Sequence, residues 1–355
     1  MRRITLILVS VVCLIVLGAV MITRGVSAQN AAALSAPVYN PYPPGILPAN
    51  LNSEIARVLA EVDFIEARAI ARWQALTPPT LTGQPPILQN TGTEAVETLG
   101  ELMNYDKNIS PGRNSACASC HMPYVAFSGP IPSVNLTMIA YPGTEHFRAG
   151  KRTAQRYPYA PFFPVLQYNE EQGLFFGGNF WDSRATGYLL RNPDAHQAQG
   201  PPVDTQEMGN PDTACIAFKL SKAPYRPLFE LVWGKGSLNI TFPSDTADIC
   251  SKPGGAFGAN TTPVNLSAAD RTRSNDAYDH WAQSLDAYEQ SVQVSAFSSK
   301  FDAYLKHKYT LTADEKAGYD LLEVKATAIH ATLTEGQPPQ LQPLRPAKTR
   351  AWPPR

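Results

Sequence analysis

A chain of 355 residues, 44% of them hydrophobic, can bury one large core or two modest ones, which excludes a disordered tail protein and a disulfide miniprotein. Thirty basic residues balance thirty acidic ones and no basic run stands out, so the electrostatic footprint of a nucleic-acid binder is missing. Thirty-two prolines and 23 glycines in a chain only 17% charged point to short helices joined by long ordered loops, and no internal repeat is visible.

The first segment reads as an address. Arg2 and Arg3 precede an apolar run from Ile4 to Ile22, and Val26-Ser27-Ala28 then offers the small-residue pattern that a signal peptidase cuts. Residues 1–28 are expected to be a signal peptide or, because the run is long enough to span a bilayer, an uncleaved membrane anchor. Either reading puts the body outside the cytoplasm. Cys13 lies inside the run and carries no chemistry. Residues 29–90 are expected to hold a proline-rich linker (36–48) and an amphipathic helix from Asn52 to about Leu76. Its apolar face is Ile55, Val58, Leu59, Val62, Ile65 and Ala69, and Pro78-Pro79 stops it. A second helix is expected at Glu94–Met103, followed by Asp106 and Ser110-Pro111.

Next comes Cys117-Ala118-Ser119-Cys120-His121, the C-x-x-C-H pattern of covalent c-type haem attachment. Two thiols three positions apart on one helical turn can each form a thioether to a haem vinyl group. The adjacent His121 can then ligate the iron through its imidazole. A thioredoxin-like pair would want a preceding strand and has no use for the histidine, and a structural zinc site would want a second ligand pair. Cys215 and Cys250 are left free to pair in an oxidising compartment. Residues 122–180, rich in Pro, Gly, Tyr and Phe, read as loops wrapping something large and flat. Helical periodicity returns at Asp279–Val294, Ala296–Lys306 and Ala313–Ala328, the last capped by Thr312 with Glu315 completing a capping box. No alternating strand pattern competes, so the class is mainly α.

The motif does not stand alone. Leu99-Gly100, Leu102, Tyr105-Asp106 and Ile109-Ser110 lead into CASCHMPYVAFSG, and Gly177-Gly178-Asn179-Phe180-Trp181-Asp182-Ser183-Arg184-Ala185 follows. Gln197-Ala198-Gln199-Gly200-Pro201, Glu207-Met208, Ser298 to Leu305 and Leu311 to Gly318 continue the series. Over roughly residues 94–326 the chain resembles the bacterial di-haem cytochrome c peroxidase and MauG family. The resemblance implies two cytochrome c-like domains with one haem each: a haem domain at 91–225 and a partial second domain at 226–326. One haem would meet hydrogen peroxide, and the other would take electrons from a small cytochrome c or cupredoxin. The exported compartment would be the periplasm, and a homodimer is one assembly this reading admits.

Position by position, the resemblance makes Cys117, Cys120 and His121 the holders of the peroxide-reacting haem. Trp181 matches the aromatic residue assigned to electron transfer between haems, against the plainer reading of a core aromatic. Arg184 becomes an ion-pair or haem-propionate partner. An acid-base group is expected directly before the Gln-Ala-x-Gly-Pro stretch, where this chain has His196, which could shuttle protons, ligate iron, or be a solvated loop histidine. His146 lies where some members carry a distal ligand, with Met138 and Met208 as weaker candidates. The family's Arg-Asn pair is Arg152-Thr153 here, which weakens the case for an inter-domain calcium.

The departure is largest near the end. Where the family runs into a second C-x-x-C-H, this chain reads Val324-Lys325-Ala326-Thr327-Ala328-Ile329-His330-Ala331-Thr332. Codons for residues 327–332, read two bases later, can spell Cys-x-x-Cys-His. The irregular tail, 327–355, is therefore expected to be out-of-frame translation or the relic of a decayed site, and the chain to hold one haem c covalently. Two function classes follow: a peroxide-reducing oxidoreductase, or a mono-haem electron carrier or inactive relative.

Overall fold

The structure is a computed structural model describing residues 51–75, 94–132, 134, 141–146, 148, 150–170, 173–255 and 262–324. The address segment, the proline-rich linker, Cys13, Met138, His330 and the tail lie outside the described residues. By internal packing the chain divides into two compact units, Met1–Ser295 and Ala296–Arg355.

In the first unit, helices α1 (Leu51–Ala75) and α2 (Glu94–Tyr105) precede a single helical turn, α3 (Cys117–Cys120). Long loops lead through a two-stranded hairpin to α4 (Pro193–Ala198), α5 (Ala214–Leu220), α6 (Arg226–Trp233), α7 (Thr246–Cys250) and the long α8 (Ala268–Gln290). The fold is mainly helical, as the periodicity implies. The apolar face of α1 is buried as expected, with Ile55, Val58, Val62 and Ala69 inside and Leu59 and Ile65 packed against them. Among the described residues no helix is long and apolar enough to cross a membrane.

The main core forms where α8 lies along α2. Leu99, Leu102 and Met103 meet Trp281 and Leu285, with Ile216, Leu220, Leu228 and Phe229 completing the cluster. The two backbones touch at Gly100: a Cβ there would lie 1.9 Å from the Ser284 carbonyl oxygen, so only glycine permits this crossing. Packing runs across residue 225, where a domain boundary was expected. The Tyr225 hydroxyl donates to Asp106 Oδ2 at 2.5 Å, and residues 226–290 pack on α2 within one body.

A second cluster holds the Cys-His turn. Val58, Val62, Ala118, Met122, Phe127, Tyr157 and Tyr288 surround it. A third encloses the Cys215–Cys250 disulfide, whose pairing was expected from cysteine usage, between Ala214 and Val264. Beside it, Arg271 donates to both carboxylate oxygens of Asp212, at 2.7 and 2.9 Å.

Two elements differ from the expectation. A hairpin pairs β1 (Gln167–Asn169) with β2 (Leu174–Phe176), where no strand was foreseen. Three residues per strand are too few for an alternating pattern to register. Helix α8 starts at Ala268, well before Asp279, because its first turns are polar and lack periodicity. The Ser267 hydroxyl caps it by accepting from the Asp270 N–H.

The second unit is described over 296–324. Helix α9 (Lys300–Leu305) and helix α10 (Ala313–Val324) share an aromatic cluster of Phe301, Tyr304 and Tyr319. The expected capping box forms: Glu315 N–H donates to Thr312 Oγ1 at 3.3 Å, and Thr312 N–H to Glu315 Oε2 at 2.9 Å.

Candidate active site

The turn that presents the two thiols is held locally. Ala116 N–H donates to Ser119 Oγ at 3.0 Å, and His121 N–H closes onto the Cys117 carbonyl at 3.0 Å. Both sulfurs are free thiols, and burial, the largest cause, pushes each up to about 12. A redox couple or a thiolate metal site needs the opposite shift. Among the described residues no group of three His, Cys, Asp or Glu side chains is arranged to hold a metal ion by itself.

His121 is fixed on two sides. Its ring stacks on Tyr157, centroids 4.2 Å apart and 14° from parallel, and its Nδ1 lies 3.1 Å from the Phe127 carbonyl oxygen. Burial lowers it to about 4, so the imidazole is neutral near pH 7. In the tautomer that donates Nδ1–H to that carbonyl, Nε2 keeps the lone pair that a metal-ligating histidine requires.

A cavity of about 400 Å³ opens over this turn, within the usual range for cofactor sites. Cys117, Cys120 and His121 lie in its wall with Trp181 and Arg184, so five of the candidate residues meet there. A c-type haem fits this donor set: two neutral thiols for thioether bonds, one oriented neutral imidazole for iron, and a cavity beside all three.

Trp181 is 90% exposed at the rim, which overturns the plainer expectation of a core aromatic. Arg184 reaches Asp182 at 2.8 Å and lies 3.6 Å from the centroid of the Phe180 ring, while Arg152 holds the same Asp182 at 3.0 Å. Lys151, in the same wall, pairs with Asp204 at 2.8 Å.

Two histidines are placed elsewhere. His196 sits on α4, its Nδ1 accepting from the Gly187 N–H at 3.2 Å, and it is not part of the cavity wall, which its neighbour Gln197 joins instead. His146 lines a small hollow with Ile55 and Ser119 that adjoins the cavity through shared walls at Ser115, Tyr141, Pro142 and Gly143. Met208 reaches the cavity from the main core.

Sequence reasoning assigned no role to Glu207, Asp204, Gln197, Gln155 or Phe180, all in the wall. Glu207 is the titratable group among them with the largest consequence. Burial, then the like charge of Asp204, raises its carboxyl to about 7, against the opposing pull of Lys151 and Arg184. Its backbone is fixed by Thr144 N–H, which donates to the Glu207 carbonyl at 2.8 Å. A Cβ on Gly143 would lie 1.9 Å from that same oxygen. Turns over 200–208 carry Glu207 to the cavity, so no helical or strand period announces it. Its only signal was its place in the family-like stretch.

Residues 94–310 match the family model described as di-haem cytochrome c peroxidase. The chain is 28% identical over 227 residues to the methylamine utilization protein MauG of Paracoccus denitrificans, covering 64% of this chain and 48% of that protein. The crystal structure of the diheme peroxidase BthA from Burkholderia thailandensis aligns over 65% of this chain and 47% of its own, at 23% identity and a TM-score of 0.47. A BthA variant aligns with a TM-score of 0.46. The chain thus spans about half the length of the relatives it matches. With 217 consecutive positions matched to one family model, the chain belongs to the di-haem cytochrome c peroxidase family.

Proposed function

We propose that this chain binds one haem c through Cys117, Cys120 and His121 and reduces hydrogen peroxide to water in the periplasm. The electrons come from a small cytochrome c or cupredoxin. The observation that carries the reading is the single cavity shared by the C-x-x-C-H residues and a carboxyl poised near neutrality, Glu207. When bound, the haem supplies the iron that meets peroxide and the two electrons that split the O–O bond. The chain supplies the rest. Glu207 would accept a proton from one oxygen of the peroxide and deliver it to the other, which would leave as water. Gln197, in the same wall, offers an amide to orient the substrate. Trp181, exposed at the rim, is the contact through which electrons enter. His196, outside the cavity wall, is replaced as the acid-base group by Glu207. The buried disulfide supports an oxidising compartment.

The test is the holoprotein matured with a haem-ligation system. Mass spectrometry should count one covalent haem, and reduced cytochrome c should be oxidised only when peroxide is added. Activity that needs the Glu207 carboxylate as base should rise with pH through about 7, because the raised carboxyl is protonated below that value. Glu207→Gln should lower kcat by about 100-fold and remove that limb. A colourless product defeats the haem assignment; a six-coordinate low-spin iron inert to peroxide makes the chain an electron carrier instead.

A further inference from the structure

Three separate stretches of the cavity wall converge on one side chain that lies outside it. Asn179 is 1% exposed and is not among the lining residues. Its Oδ1 accepts from Gln155 Nε2 at 2.5 Å and from the Phe180 N–H at 2.7 Å, and its Nδ2 donates to Asp194 Oδ1 at 2.8 Å. Gln155 ends the wall stretch 150–155, and Phe180 begins the wall stretch that carries Trp181, Asp182 and Arg184. Asp194 opens α4, the helix that brings Gln197 to the wall. The Asn179 N–H also donates to the Ala185 carbonyl at 2.9 Å, pinching the second stretch into a closed loop.

That loop needs a clamp. Phe180 and Ser183 have left-handed backbones (φ 67° and 53°), beside Gly177 and Gly178 at φ 86° and 73°. Non-glycine residues keep such conformations only where their surroundings over-determine them. We infer that Asn179, anchored by Asp194, is the positioning residue that sets the spacing of the three wall stretches, and so the place of Phe180, Trp181 and Gln155 around the cavity.

The amide is oriented by its partners. Two donors face its oxygen and one acceptor faces its nitrogen, so an aspartate at 179 would set a carboxylate oxygen against Asp194. Burial and the nearby Asp286 hold Asp194 well above the usual carboxylate range, against an opposing pull from Glu289. An asparagine at 194 keeps an oxygen in the place of Asp194 Oδ1, which accepts from Asn179 Nδ2.

The positional claim rests on the proposed haem cavity, yet part of its test needs no haem. Hydrogen exchange is measured on the full chain, alongside the ferric electron paramagnetic resonance spectrum of the holoprotein. Asn179→Ala should raise exchange at the Phe180 amide by at least about 10-fold, since its acceptor is removed, and should shift the haem spectrum. Asp194→Asn should stay within about twofold of wild type in both readouts, because it keeps the acceptor for Asn179. Gln155→Ala, the milder variant, should loosen 150–155 alone. The inference is overturned by wild-type exchange at Phe180 in Asn179→Ala, by equal loosening in Asp194→Asn, or by acceleration spread evenly over the chain. Should the protein bind no haem, the spectral arm falls with the functional reading while the exchange arm still decides this one.

Discussion

Two pairs of cysteines in one chain meet opposite fates. Cys117 and Cys120, three positions apart, remain thiols in a cavity wall, whereas Cys215 and Cys250, 35 residues apart, close a disulfide inside a dry cluster of Ala214 and Val264. Proximity along the chain does not explain the difference. The first pair sits on a four-residue turn beside about 400 Å³ of open volume, with His121 one residue on. The second joins α5 to α7 inside a buried apolar cluster, next to the Arg271–Asp212 ion pair. The surroundings suit one pair to the proposed cofactor and the other to holding the fold.

The comparison can be broken most sharply at the first pair. Replacing Cys117 and Cys120 together by alanine should abolish covalent haem, read as loss of the Soret band in denatured protein, while Cys215–Cys250 persists by mass mapping. Next in size is the second pair. Cys215→Ser with Cys250→Ser should cost about 4 kcal/mol in urea unfolding, the loop-closure value for a separation of 35, and leave the thioethers in place. If haem attachment also failed, the division of labour would be wrong.

A third change sharpens the role of packing without touching either pair. Gly100→Ala should cost about 2 kcal/mol, because the added methyl meets the Ser284 backbone and backbone yields poorly. The smallest effect is expected at the rim. Trp181→Ala should move the unfolding free energy by less than about 0.5 kcal/mol, since the side chain is 90% exposed, and should slow electron delivery from reduced cytochrome c. A loss of several kcal/mol would return Trp181 to the core.

Histidine and glutamate show where legibility stopped. His196 stood in a family-like position and drew the acid-base role, yet one turn of α4 directs Gln197 to the cavity, and the His196 Nδ1 accepts from Gly187. Glu207 entered the sequence reading only as part of a stretch, because a carboxylate in a run of turns has no periodicity to mark its neighbours. The polar first half of α8 and the three-residue strands escaped for the same reason: their register depends on caps and on cross-chain hydrogen bonds rather than on hydrophobic spacing.

The sequence alone determined the mainly helical class, the buried face of α1, the Thr312–Glu315 cap and the thiol-thiol-imidazole motif, because each is written in spacings within one helix or one turn. Tertiary structure alone decided which acid faces the cavity, that Trp181 stands in solvent, that α8 packs across the expected boundary, and that Asn179 gathers three wall segments. Those facts depend on residues tens of positions apart meeting in space, and burial, charge proximity and hydrogen-bond direction exist only once they have met.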